Sequence, residues 1–395
     1  MTVTKPSTMN ASALEIQWTK EPKPVPAPGF PEITSLKATT DHMITVSWTS
    51  AKGWEHPKLV HYGPIPLMPS ANVIQYATGC FEGMEVYRGF DGRLRLHRPL
   101  YNCNRMLSSA ERISLPGFEP EELLKLIHKL CVIEAPKWLP NDKTSSMLYI
   151  RPTLIGTDSS SLGLRVPEEA LLYIFLIHWP SLNPTTAPND DNTKNGIRLL
   201  ASTESTVRAW PGGTGAAKVA ANYGPTIQAQ GEARRLGYDQ ILWLFGPDRQ
   251  ITDAGSANVF VIWRTSTGGL QMVTPPLDER KIILAGGTRR SILELSRKMF
   301  VGGPANNDVE KVEVLESDIT MSDIVRAVDD ESLAAVFVVG TAAWVQPVAE
   351  IMYDGRTIRL PLGKVPHISL LKEKLESIVY GKEASPWGGV IDESE

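Results

Sequence analysis

The spacing of apolar residues in the first half of the chain switches between strand and helix patterns. Strand-like apolar runs occupy residues 43–48, 84–87, 146–155 and 170–178. Asp91 and Gly92 separate two shorter runs, 86–88 and 94–97, which predicts a hairpin. Apolar residues three and four apart predict helices over 102–114 and 121–134, and Pro120 stands just before the second, where it does not interrupt the helix. This half is therefore predicted to be α+β.

The second half mixes short strands with helices. The pattern predicts strands at residues 197–201, 240–245, 259–263 and 334–339. It predicts helices at residues 226–236, 288–299 and 368–380, with Pro225 where the first turn of the first helix would begin. Residues 246–249 (Gly-Pro-Asp-Arg) predict a turn, and a glycine-containing loop is expected before the strand at 259–263. A tail is expected after the last helix.

A segment dense in turn-forming residues divides the two halves. Leu182 is the only large apolar residue between 181 and 195, and strand-like runs flank the segment on both sides. A chain of 395 residues is long enough for two domains. We therefore predict a flexible N-terminal lead-in at residues 1–30, a small α+β domain at 31–180, an interdomain linker at 181–196 and a large domain at 197–395.

The composition is that of an ordinary globular protein. Hydrophobic residues make up 42% of the chain and the formal net charge is -4, so bulk charge does not favour nucleic acid or an anionic membrane as a partner. No run of apolar residues is long enough to span a membrane. The three cysteines show neither CxxC nor metal-ligand spacing, which suits a reducing compartment, and no metal site is predicted.

The first residues bear on the compartment. Residues 1–27 are rich in proline, threonine, serine and lysine and lack the apolar core of a secretory signal. They contain no arginine and include Glu15 and Glu21, which is a poor match to a mitochondrial presequence. We therefore expect a cytoplasmic protein, with the mitochondrion as the alternative.

Residues 208–225, RAWPGGTGAAKVAANYGP, carry the most distinctive chemistry. Gly212, Gly213 and Gly215 lead to Lys218. A P-loop would need Gly-Lys-Ser/Thr, and a dinucleotide fingerprint would need a glycine where Lys218 stands, so neither motif fits. What remains is a lysine among small uncharged residues, where desolvation lowers the pKa of an amine and makes it a nucleophile toward an aldehyde. The structural alternative is a lysine that extends from a glycine-rich surface loop.

Six separated blocks, in order along residues 59–380, carry a resemblance to a known family. They are residues 76–84 (YATGCFEGM), 104–106 (NRM), 148–152 (LYIRP), the lysine block, 251–260 (ITDAGSANVF) and 339–342 (VGTA). In these blocks the chain resembles the branched-chain aminotransferases of the fold-type IV enzymes, which use pyridoxal 5'-phosphate (PLP). The resemblance implies an α+β, fold-type IV PLP aminotransferase built from two α/β domains, with the cofactor at the domain interface.

The resemblance also implies which residues hold PLP. Lys218 would be the Schiff-base lysine and would later move a proton between substrate and cofactor. Arg105 would bind the phosphate with its guanidinium fork, and Arg208 is a second phosphate-side candidate. Tyr223 would hydrogen-bond the phenolate oxygen, and backbone amides at a helix start would hold the phosphate. The implied cofactor set is Arg105, Arg208, Lys218, Tyr223, Asp253, Ser256, Asn258, Gly287, Thr288 and Thr341.

The resemblance further implies an aromatic pocket for an aliphatic side chain. Tyr76, Phe81 and Tyr149 would form its walls, and Arg151 would orient Tyr149 at the polar edge. The implied substrate-binding set is Tyr76, Phe81, Tyr149, Arg151, Thr341 and Ala342. In the family, the residue that matches Tyr76 reaches into the site of the partner subunit, which implies a homodimer. The implied reaction is transamination of leucine, isoleucine and valine with 2-oxoglutarate, giving branched 2-oxo acids and glutamate.

Two departures from the family bear on rate and substrate. Asp253 stands where the family has a glutamate, one methylene longer, that keeps the pyridine nitrogen protonated. The CxxC redox pair of the mammalian members is replaced by Ala343-Trp344-Val345-Gln346, so we predict no thiol switch and expect Trp344 to reshape this loop. Two alternatives therefore stand beside the main prediction. One is a related fold-type IV transaminase for a D-amino acid, an amine or a specialised-pathway amino acid, and the other is a non-catalytic binding protein.

Overall fold

The computed structural model describes residues 7–27, 30–141, 147–160, 162–179, 196–301, 309–341 and 344–394. The chain divides into two compact units. The first comprises Met1–Ala187, Ala217–Ala221 and Ser377–Glu395, and the second comprises Pro188–Ala216 and Asn222–Glu376. The predicted linker, apart from residue 196, lies outside the described residues. Residues 217–221 and 377–395 were expected in the second domain but group with the first unit.

The strands are numbered along the chain. They are β1 (Glu15–Ile16), β2 (Thr39–Thr49), β3 (Gly53–Trp54), β4 (Lys58–His61), β5 (Gly79–Phe81), β6 (Met84–Arg88), β7 (Leu94–His97), β8 (Met147–Gly156), β9 (Glu169–His178), β10 (Ile197–Ala201), β11 (Gln240–Phe245), β12 (Gln250–Ala254), β13 (Ala257–Arg264), β14 (Leu270–Thr274), β15 (Val312–Glu316), β16 (Leu333–Gly340), β17 (Trp344–Tyr353), β18 (Arg356–Arg359) and β19 (Gly388–Ile391).

The α-helices are numbered in the same way. They are α1 (Pro31–Thr34), α2 (Asn72–Tyr76), α3 (Pro99–Arg112), α4 (Pro120–Trp138), α5 (Thr226–Arg235), α6 (Gly287–Ser296), α7 (Met321–Asp329) and α8 (His367–Val379). Short 3-10 turns occupy Ala11–Ala13 and Ala220–Asn222, and a π-helical turn, Arg297–Val301, continues α6.

The first unit is built on a ten-stranded sheet with the order β1-β4-β2-β9-β8-β6-β7-β19, to which β3 joins at β2 and β5 at β8. Apart from the parallel β1–β4 pair, these pairings are antiparallel. α3 and α4 pack on the sheet with their apolar faces, since Met106, Leu123 and Leu130 share one buried core with Val86 and Leu172. This core fixes β5 and α3, which carry part of the candidate site.

The second unit is built on a nine-stranded mixed sheet with the order β12-β11-β10-β17-β16-β13-β14-β15, to which β18 joins at β17. β12 also pairs with β13, so the six strands from β12 to β13 form a closed ring. Leu199, Val261, Ile324 and Val336 are buried together in its core. Closure pairs β12 on both sides, which fixes the position of Asp253, the last residue but one of that strand.

Most elements predicted from apolar spacing are confirmed. β10 and β11 match the predicted strands 197–201 and 240–245, β6 and β7 form the predicted hairpin, and five of the helices cover the predicted helical segments. The glycine-containing loop predicted before 259–263 is confirmed only as a short turn at Gly255 and Ser256, because Gln250–Ala254 is strand β12. Its polar side chains are buried between paired strands, so no alternating pattern marks it. The expected tail contains β19, which pairs with β7.

The prediction of a flexible lead-in is wrong for residues 7–27. Ala11 begins a 3-10 turn, and Met9 and Ala11 are buried in the core of the first unit. β1 extends the sheet through β4. Backbone groups of this polar segment bond to side chains elsewhere in the unit, as the Thr19 N–H does to Nε2 of His42. Such bonds need no apolar pattern in the segment itself, which is why its composition concealed them.

Among the described helices, none combines the length and apolar character needed to cross a membrane. In the same part of the chain, no group of three or more His, Cys, Asp or Glu side chains is arranged to hold a metal ion. Cys80, Cys103 and Cys131 are buried free thiols. Burial raises the pKa of the Cys80 thiol to about 12.

Candidate active site

Lys218 is fixed through its backbone by two elements of the first unit. Its N–H donates to Oγ of Ser109 on α3 at 2.8 Å, and its carbonyl accepts from the N–H of Phe81 on β5 at 3.1 Å. The neighbouring residues Ala217 and Val219 are buried. The Lys218 Nζ lies 4.9 Å from the centroid of the Phe81 ring. This packing does not match a lysine that extends from a loose surface loop.

Arg105 lies on α3, four residues before Ser109. Its Nε and Nη2 donate to the two carboxylate oxygens of Glu82 at 2.6 and 2.7 Å, which is a bidentate ion pair. Glu82 is fully buried and also accepts from the Asn102 side chain and the Gly83 N–H, both at 3.1 Å. The guanidinium of Arg105 is therefore held in one orientation.

Phe81, Tyr149 and Arg151 form one contiguous cluster. Cζ of Arg151 lies 4.6 Å from the Phe81 ring centroid and 5.1 Å from that of Tyr149, and its Nη2 donates to the Tyr149 hydroxyl at 3.3 Å. Trp179 stacks on Tyr149 with the ring centroids 4.9 Å apart. A Cβ at position 83 would overlap the Tyr149 hydroxyl, so Gly83 leaves the room that this ring occupies.

In the second unit, Asp253 is the centre of a buried polar cluster. Nη1 of Arg208 donates to its Oδ2 at 3.0 Å, and Nδ2 of Asn258 donates to its Oδ1 at 2.9 Å. The side chains of Arg208 and Asp253 are only 6% and 4% exposed. Burial raises the pKa of the Asp253 carboxyl above its ordinary value, and the Arg208 guanidinium opposes that rise. Arg208, predicted on the phosphate side, is thus found on the carboxylate.

Gly287 and Thr288 open helix α6, as the sequence predicts. Gly286 caps this end in an extended conformation, and no described side chain bonds the first amides as a cap. A Cβ at Gly286 would overlap the amide oxygen of Asn258, so Asn258 joins this helix start to Asp253. Amide groups at the start of a helix favour a bound anion.

The remaining predicted residues lie at the ends of elements. Tyr76 ends α2, and Tyr223 follows the 3-10 turn that precedes α5. Ser256 lies between β12 and β13, and Thr341 directly follows β16. Because β13 and β16 are antiparallel neighbours, Ser256 and Thr341 lie at the same end of this strand pair. Ala342 lies outside the described residues.

Trp344 begins β17 in an unusual backbone conformation. Its φ of 52° lies in the left-handed region, which is costly for a bulky aromatic residue, and its side chain is buried. It pairs directly with Gly340, the last residue of β16. The expectation that Trp344 reshapes the loop stays a prediction, because residues 342–343 lie outside the described part of the chain.

The side chains described in each unit match the chemistry of PLP. A phosphate needs fixed cationic or amide donors, which Arg105 in the first unit and the start of α6 in the second supply. A protonated pyridine nitrogen needs a carboxylate, and Asp253 is a buried one. An aldehyde needs an amine, and Lys218 is held by its backbone on both sides. Each unit therefore offers side chains or amides of the kind that PLP needs.

Comparison with known proteins decides the family. The family described as Amino-transferase class IV matches residues 79–351. The chain is 39% identical over 383 residues to the mitochondrial branched-chain-amino-acid aminotransferase of Rattus norvegicus, a match that covers 96% of this chain and 92% of that relative. The chain belongs to the class IV branched-chain aminotransferases. The family resemblance and the aminotransferase activity inferred from the six sequence blocks are thereby confirmed.

Other members of this family extend the comparison. The cytosolic branched-chain-amino-acid aminotransferase of Mus musculus is 41% identical over 350 residues, which cover 88% of this chain and 85% of that relative. Relatives therefore include mitochondrial and cytosolic aminotransferases. The solved branched-chain aminotransferase of Thermobaculum terrenum in its PLP form has a TM-score of 0.65 at 18% identity, over 89% of this chain and 98% of that one. This likeness confirms the predicted fold class.

Glu82, Ser109 and Trp179 were not singled out from the sequence. Glu82 lies within a block that marked the family, and Ser109 stands four residues after Arg105, a spacing that puts both on one helix face. The family block could have drawn attention to Glu82, and the spacing from Arg105 could have drawn attention to Ser109. The stack of Trp179 on Tyr149 could not be found in this way, because it depends on how β8 and β9 pair.

Proposed function

We propose that the chain is a PLP-dependent aminotransferase that transfers the amino group of leucine, isoleucine or valine to 2-oxoglutarate, giving branched 2-oxo acids and glutamate. The observation that carries the proposal is the position of the Lys218 amine, 4.9 Å from the centroid of the Phe81 ring. Phe81 also contacts Arg151, which bonds the Tyr149 hydroxyl. A reactive amine beside an aromatic wall suits a substrate whose amino group lies next to an aliphatic side chain.

Each polar group of the cofactor has a residue to hold it in this proposal. Arg105 and the amides of Gly287 and Thr288 would bind the phosphate, Asp253 would pair with the pyridine nitrogen, and Tyr223 would donate to the phenolate oxygen. Bound PLP supplies an electron sink for the charge that develops at the substrate Cα. Ser256, Asn258 and Thr341 complete the set, Asn258 by fixing Asp253 through the bond at 2.9 Å.

Lys218 has two roles in the proposed reaction. Its amine would hold the cofactor, and the same amine would serve as the general base that takes a proton from the substrate Cα and later gives it back. The hydrogen bonds that Ser109 and Phe81 make with the Lys218 backbone restrict the positions that the Lys218 Nζ can reach. A fixed base of this kind raises the rate because less ordering is needed in the transition state.

The aromatic residues select the side chain of the substrate. Phe81 and Tyr149, with Tyr76 from the partner subunit, are proposed to bury the aliphatic part, and each buried CH₂ contributes about 0.8 kcal/mol. Arg151 would orient Tyr149 at the polar edge, and Thr341 and Ala342 are proposed as substrate-binding residues from the family match. An apolar wall of this kind favours leucine, isoleucine and valine over polar amino acids but separates the three only weakly.

The first test is a visible spectrum of the purified protein during both half-reactions. We expect a band from bound cofactor that L-leucine converts to the pyridoxamine form and that 2-oxoglutarate restores. A band that leucine leaves unchanged would contradict the substrate assignment while keeping the cofactor. A protein that stays colourless after added PLP would contradict the cofactor as well.

Lys218→Ala tests the assignment of the lysine. We expect the variant to lose turnover with leucine and to lose covalent capture of PLP by borohydride. Lys382→Ala is the matched control, because the Lys382 Nζ also lies over a phenylalanine ring, 4.1 Å from the centroid of Phe90. Turnover that survives Lys218→Ala would show that another group carries the chemistry.

We propose a homodimer in the cytoplasm as the working form. The dimer rests on the family match of Tyr76, and light scattering after gel filtration checks it.

The compartment rests on the fold of residues 7–27: Met9 and Ala11 are buried and β1 belongs to the sheet, so cleavage within this segment would remove part of the first unit. Imaging of a C-terminal fluorescent fusion checks the compartment, and a mitochondrial signal would contradict it.

A related transaminase with a shifted substrate is the second candidate. Trp179 adds a third ring to the wall by stacking on Tyr149, and Trp344 is buried in a left-handed conformation close behind Thr341. Both features alter the surroundings of residues that the family uses for the substrate. Profiling L- and D-amino acids and simple amines separates the candidates, since the first predicts the highest kcat/KM for branched L-amino acids.

A further inference from the structure

The backbone of Lys218 and the side chain of Arg105 belong to one continuous hydrogen-bonded circuit in the first unit. Two residues connect them. Ser109 bonds the lysine to the helix that carries Arg105, and Glu82 holds the Arg105 guanidinium. Neither residue is among those proposed to contact the cofactor or the substrate.

Ser109 connects the lysine to α3. Its Oγ accepts the Lys218 N–H at 2.8 Å and donates to the carbonyl of Arg105 at 2.9 Å. The side chain is 1% exposed, so water does not compete for either bond. An alanine at this position would leave the Lys218 N–H without its acceptor in a buried place. The Lys218 backbone is thus bonded, through Ser109, to the helical turn that carries Arg105.

Glu82 sets the orientation of Arg105. Its carboxylate accepts from Nε and Nη2 of Arg105 at 2.6 and 2.7 Å, from Asn102 at 3.1 Å and from the N–H of Gly83 at 3.1 Å. Four donors satisfy a carboxylate that is fully buried, so the charge is stable there. An arginine fixed in this way does not have to lose rotamer freedom when an anion binds.

Phe81 closes the circuit. It precedes Glu82 in the chain, and its N–H donates to the carbonyl of Lys218 at 3.1 Å. A displacement of the segment around Lys218 therefore moves the residue next to Glu82, and a displacement of α3 moves both Arg105 and Ser109. Bonds in such a connected network support one another's geometry.

We propose that Glu82 and Ser109 are positioning residues for the cofactor: Glu82 aligns Arg105 for the phosphate, and Ser109 places Lys218 at a fixed distance from it. This inference rests on the proposed function in one respect, namely that PLP is the cofactor. It differs from a general stabilising role because the two residues act on different groups: Glu82 on the arginine proposed for the phosphate, and Ser109 on the lysine proposed for the aldehyde. Glu82 acts on phosphate recognition only, and Ser109 acts on the amine.

Affinities for PLP and for pyridoxal, which lacks the phosphate, separate the two roles. We expect Glu82→Gln to weaken PLP binding about tenfold, which corresponds to about 1.4 kcal/mol, and to change pyridoxal binding less than about twofold. Glu393→Gln is the matched control, because Glu393 accepts a bidentate pair from the buried Arg88 in the same unit, outside the circuit. It should leave both affinities as in the wild type.

Other results for Glu82→Gln would overturn its role. Equal losses for PLP and pyridoxal would mean that Glu82 is merely structural. Tighter PLP binding would mean that its negative charge repels the phosphate more than its contacts help. If Glu82→Gln does not fold, Glu82→Asp replaces it, since the charge is kept while the reach is shorter. The same selective loss of PLP affinity is then expected.

Ser109→Ala should behave differently. We expect this variant to bind PLP and pyridoxal about fivefold more weakly, with the same loss for both. The readout is the fraction of protein that borohydride links to the cofactor when the cofactor is below saturation. Ser108→Ala is the control, because Ser108 donates to the carbonyl of Asn104 four residues back on the same helix without contacting Lys218. A Ser109→Ala protein that matches Ser108→Ala would overturn the role of Ser109.

The same measurements show which proposal has failed. A wild-type protein that binds neither cofactor form would overturn the proposed function and this inference with it. A wild-type protein that binds PLP, with unchanged affinities in Glu82→Gln and Ser109→Ala, would overturn this inference alone. Thermal unfolding of each variant, compared with its control, confirms that the affinities refer to folded protein.

Discussion

Gly83 shows how much one residue can decide at the site. The Tyr149 hydroxyl occupies the space that a side chain at position 83 would take, and Arg151 and Trp179 hold the ring from other directions. The loop between β5 and β6 must therefore keep a glycine for the aromatic wall to form. A single methyl group is enough to test this.

Gly83→Ala should displace Tyr149 and weaken selection of the substrate. Overpacking of this kind costs about 1–3 kcal/mol of the free energy of unfolding. We expect KM for leucine to rise more than kcat falls, since the wall contacts the side chain rather than the reacting atoms. Steady-state kinetics and urea unfolding measure both effects. Gly63→Ala is the control, because nothing lies near its added Cβ, and equal behaviour of the two variants would contradict the prediction.

Asp253→Asn should destabilise the second unit as well as lower kcat. The side chains of Arg208 and Asp253 are almost fully buried, and removing one charge leaves the other without its partner. Breaking such a pair costs about 3–5 kcal/mol. Denaturant unfolding measures the loss, and Asp329→Asn, which breaks the half-exposed pair with Arg356, should change stability little. A variant as stable as the wild type would show that Arg208 has other partners.

At the scale of elements, the N-terminal segment is held by side chains of the sheet and of α4. Nε2 of His42 accepts the Thr19 N–H at 2.9 Å, which requires that nitrogen to be unprotonated. The other ring nitrogen, Nδ1, bonds the buried Glu134. The Trp18 ring packs edge-on against the imidazole. One side chain thus connects three parts of the first unit.

His42→Phe should release this segment. The phenyl ring keeps the shape but removes both nitrogen atoms, so the Thr19 N–H and Glu134 each lose a partner, at a cost of about 1–3 kcal/mol. Hydrogen exchange should become faster over residues 8–25 and stay unchanged in β8. His56→Phe is the control, because His56 is 69% exposed where it meets Glu15. Unchanged exchange in residues 8–25 would contradict the role of His42.

The elements differ in how clearly the spacing of their apolar residues marks them. β10 and α4 were predicted because each is long enough to show a period of two or of 3.6 in its apolar residues. β1 and β3 have two residues each, too few for any period. β12 is buried at all its positions yet contains polar residues, because their partners lie within the sheet and the polar cluster around Asp253.

At the scale of the whole molecule, stability should depend on pH through His367. Its side chain is fully buried, Nε2 bonds the Glu310 carbonyl at 2.8 Å, and the Phe300 ring lies 4.6 Å away. Burial lowers the pKa of His367 below its ordinary value of 6.5. The folded chain therefore binds this proton less readily than the unfolded chain does.

Because of this difference, lowering the pH reduces the free energy of unfolding. The stability contribution is complete above the unfolded pKa of 6.5 and is lost as the pH falls below it toward the lowered folded pKa. The loss is at most about 1.4 kcal/mol per pH unit. Urea unfolding between about pH 8 and about pH 5 measures it, and His367→Gln should flatten the profile. The exposed His61→Gln should not, and an equal change in both variants would contradict the assignment.

The protein should also be indifferent to thiol reagents while folded. Cys80, Cys103 and Cys131 are buried, and burial raises the pKa of each thiol, so little thiolate forms at neutral pH. A colorimetric thiol reagent should react with the three cysteines only after denaturation. Turnover should be the same in oxidising and reducing buffer. Rapid modification of the native protein, with loss of turnover, would show a redox response.

The sequence by itself determined the kind of enzyme and the type of most elements, and it singled out Lys218 as the proposed reacting lysine. These properties are carried by residues that are close together in the chain. Apolar spacing of two or 3.6 residues decides between strand and helix, and the chemistry of the site is written in short blocks such as residues 76–84 and 208–225.

Only the tertiary structure decided which distant residues meet. Ser109 and Lys218 are 109 positions apart, and their bond exists because α3 packs on β5, the strand that binds the backbone of the lysine segment. The fold of residues 7–27 and the pairing of Arg208 with Asp253 have the same origin. Contacts of this kind depend on strand order and register, which bring together residues that no local pattern links.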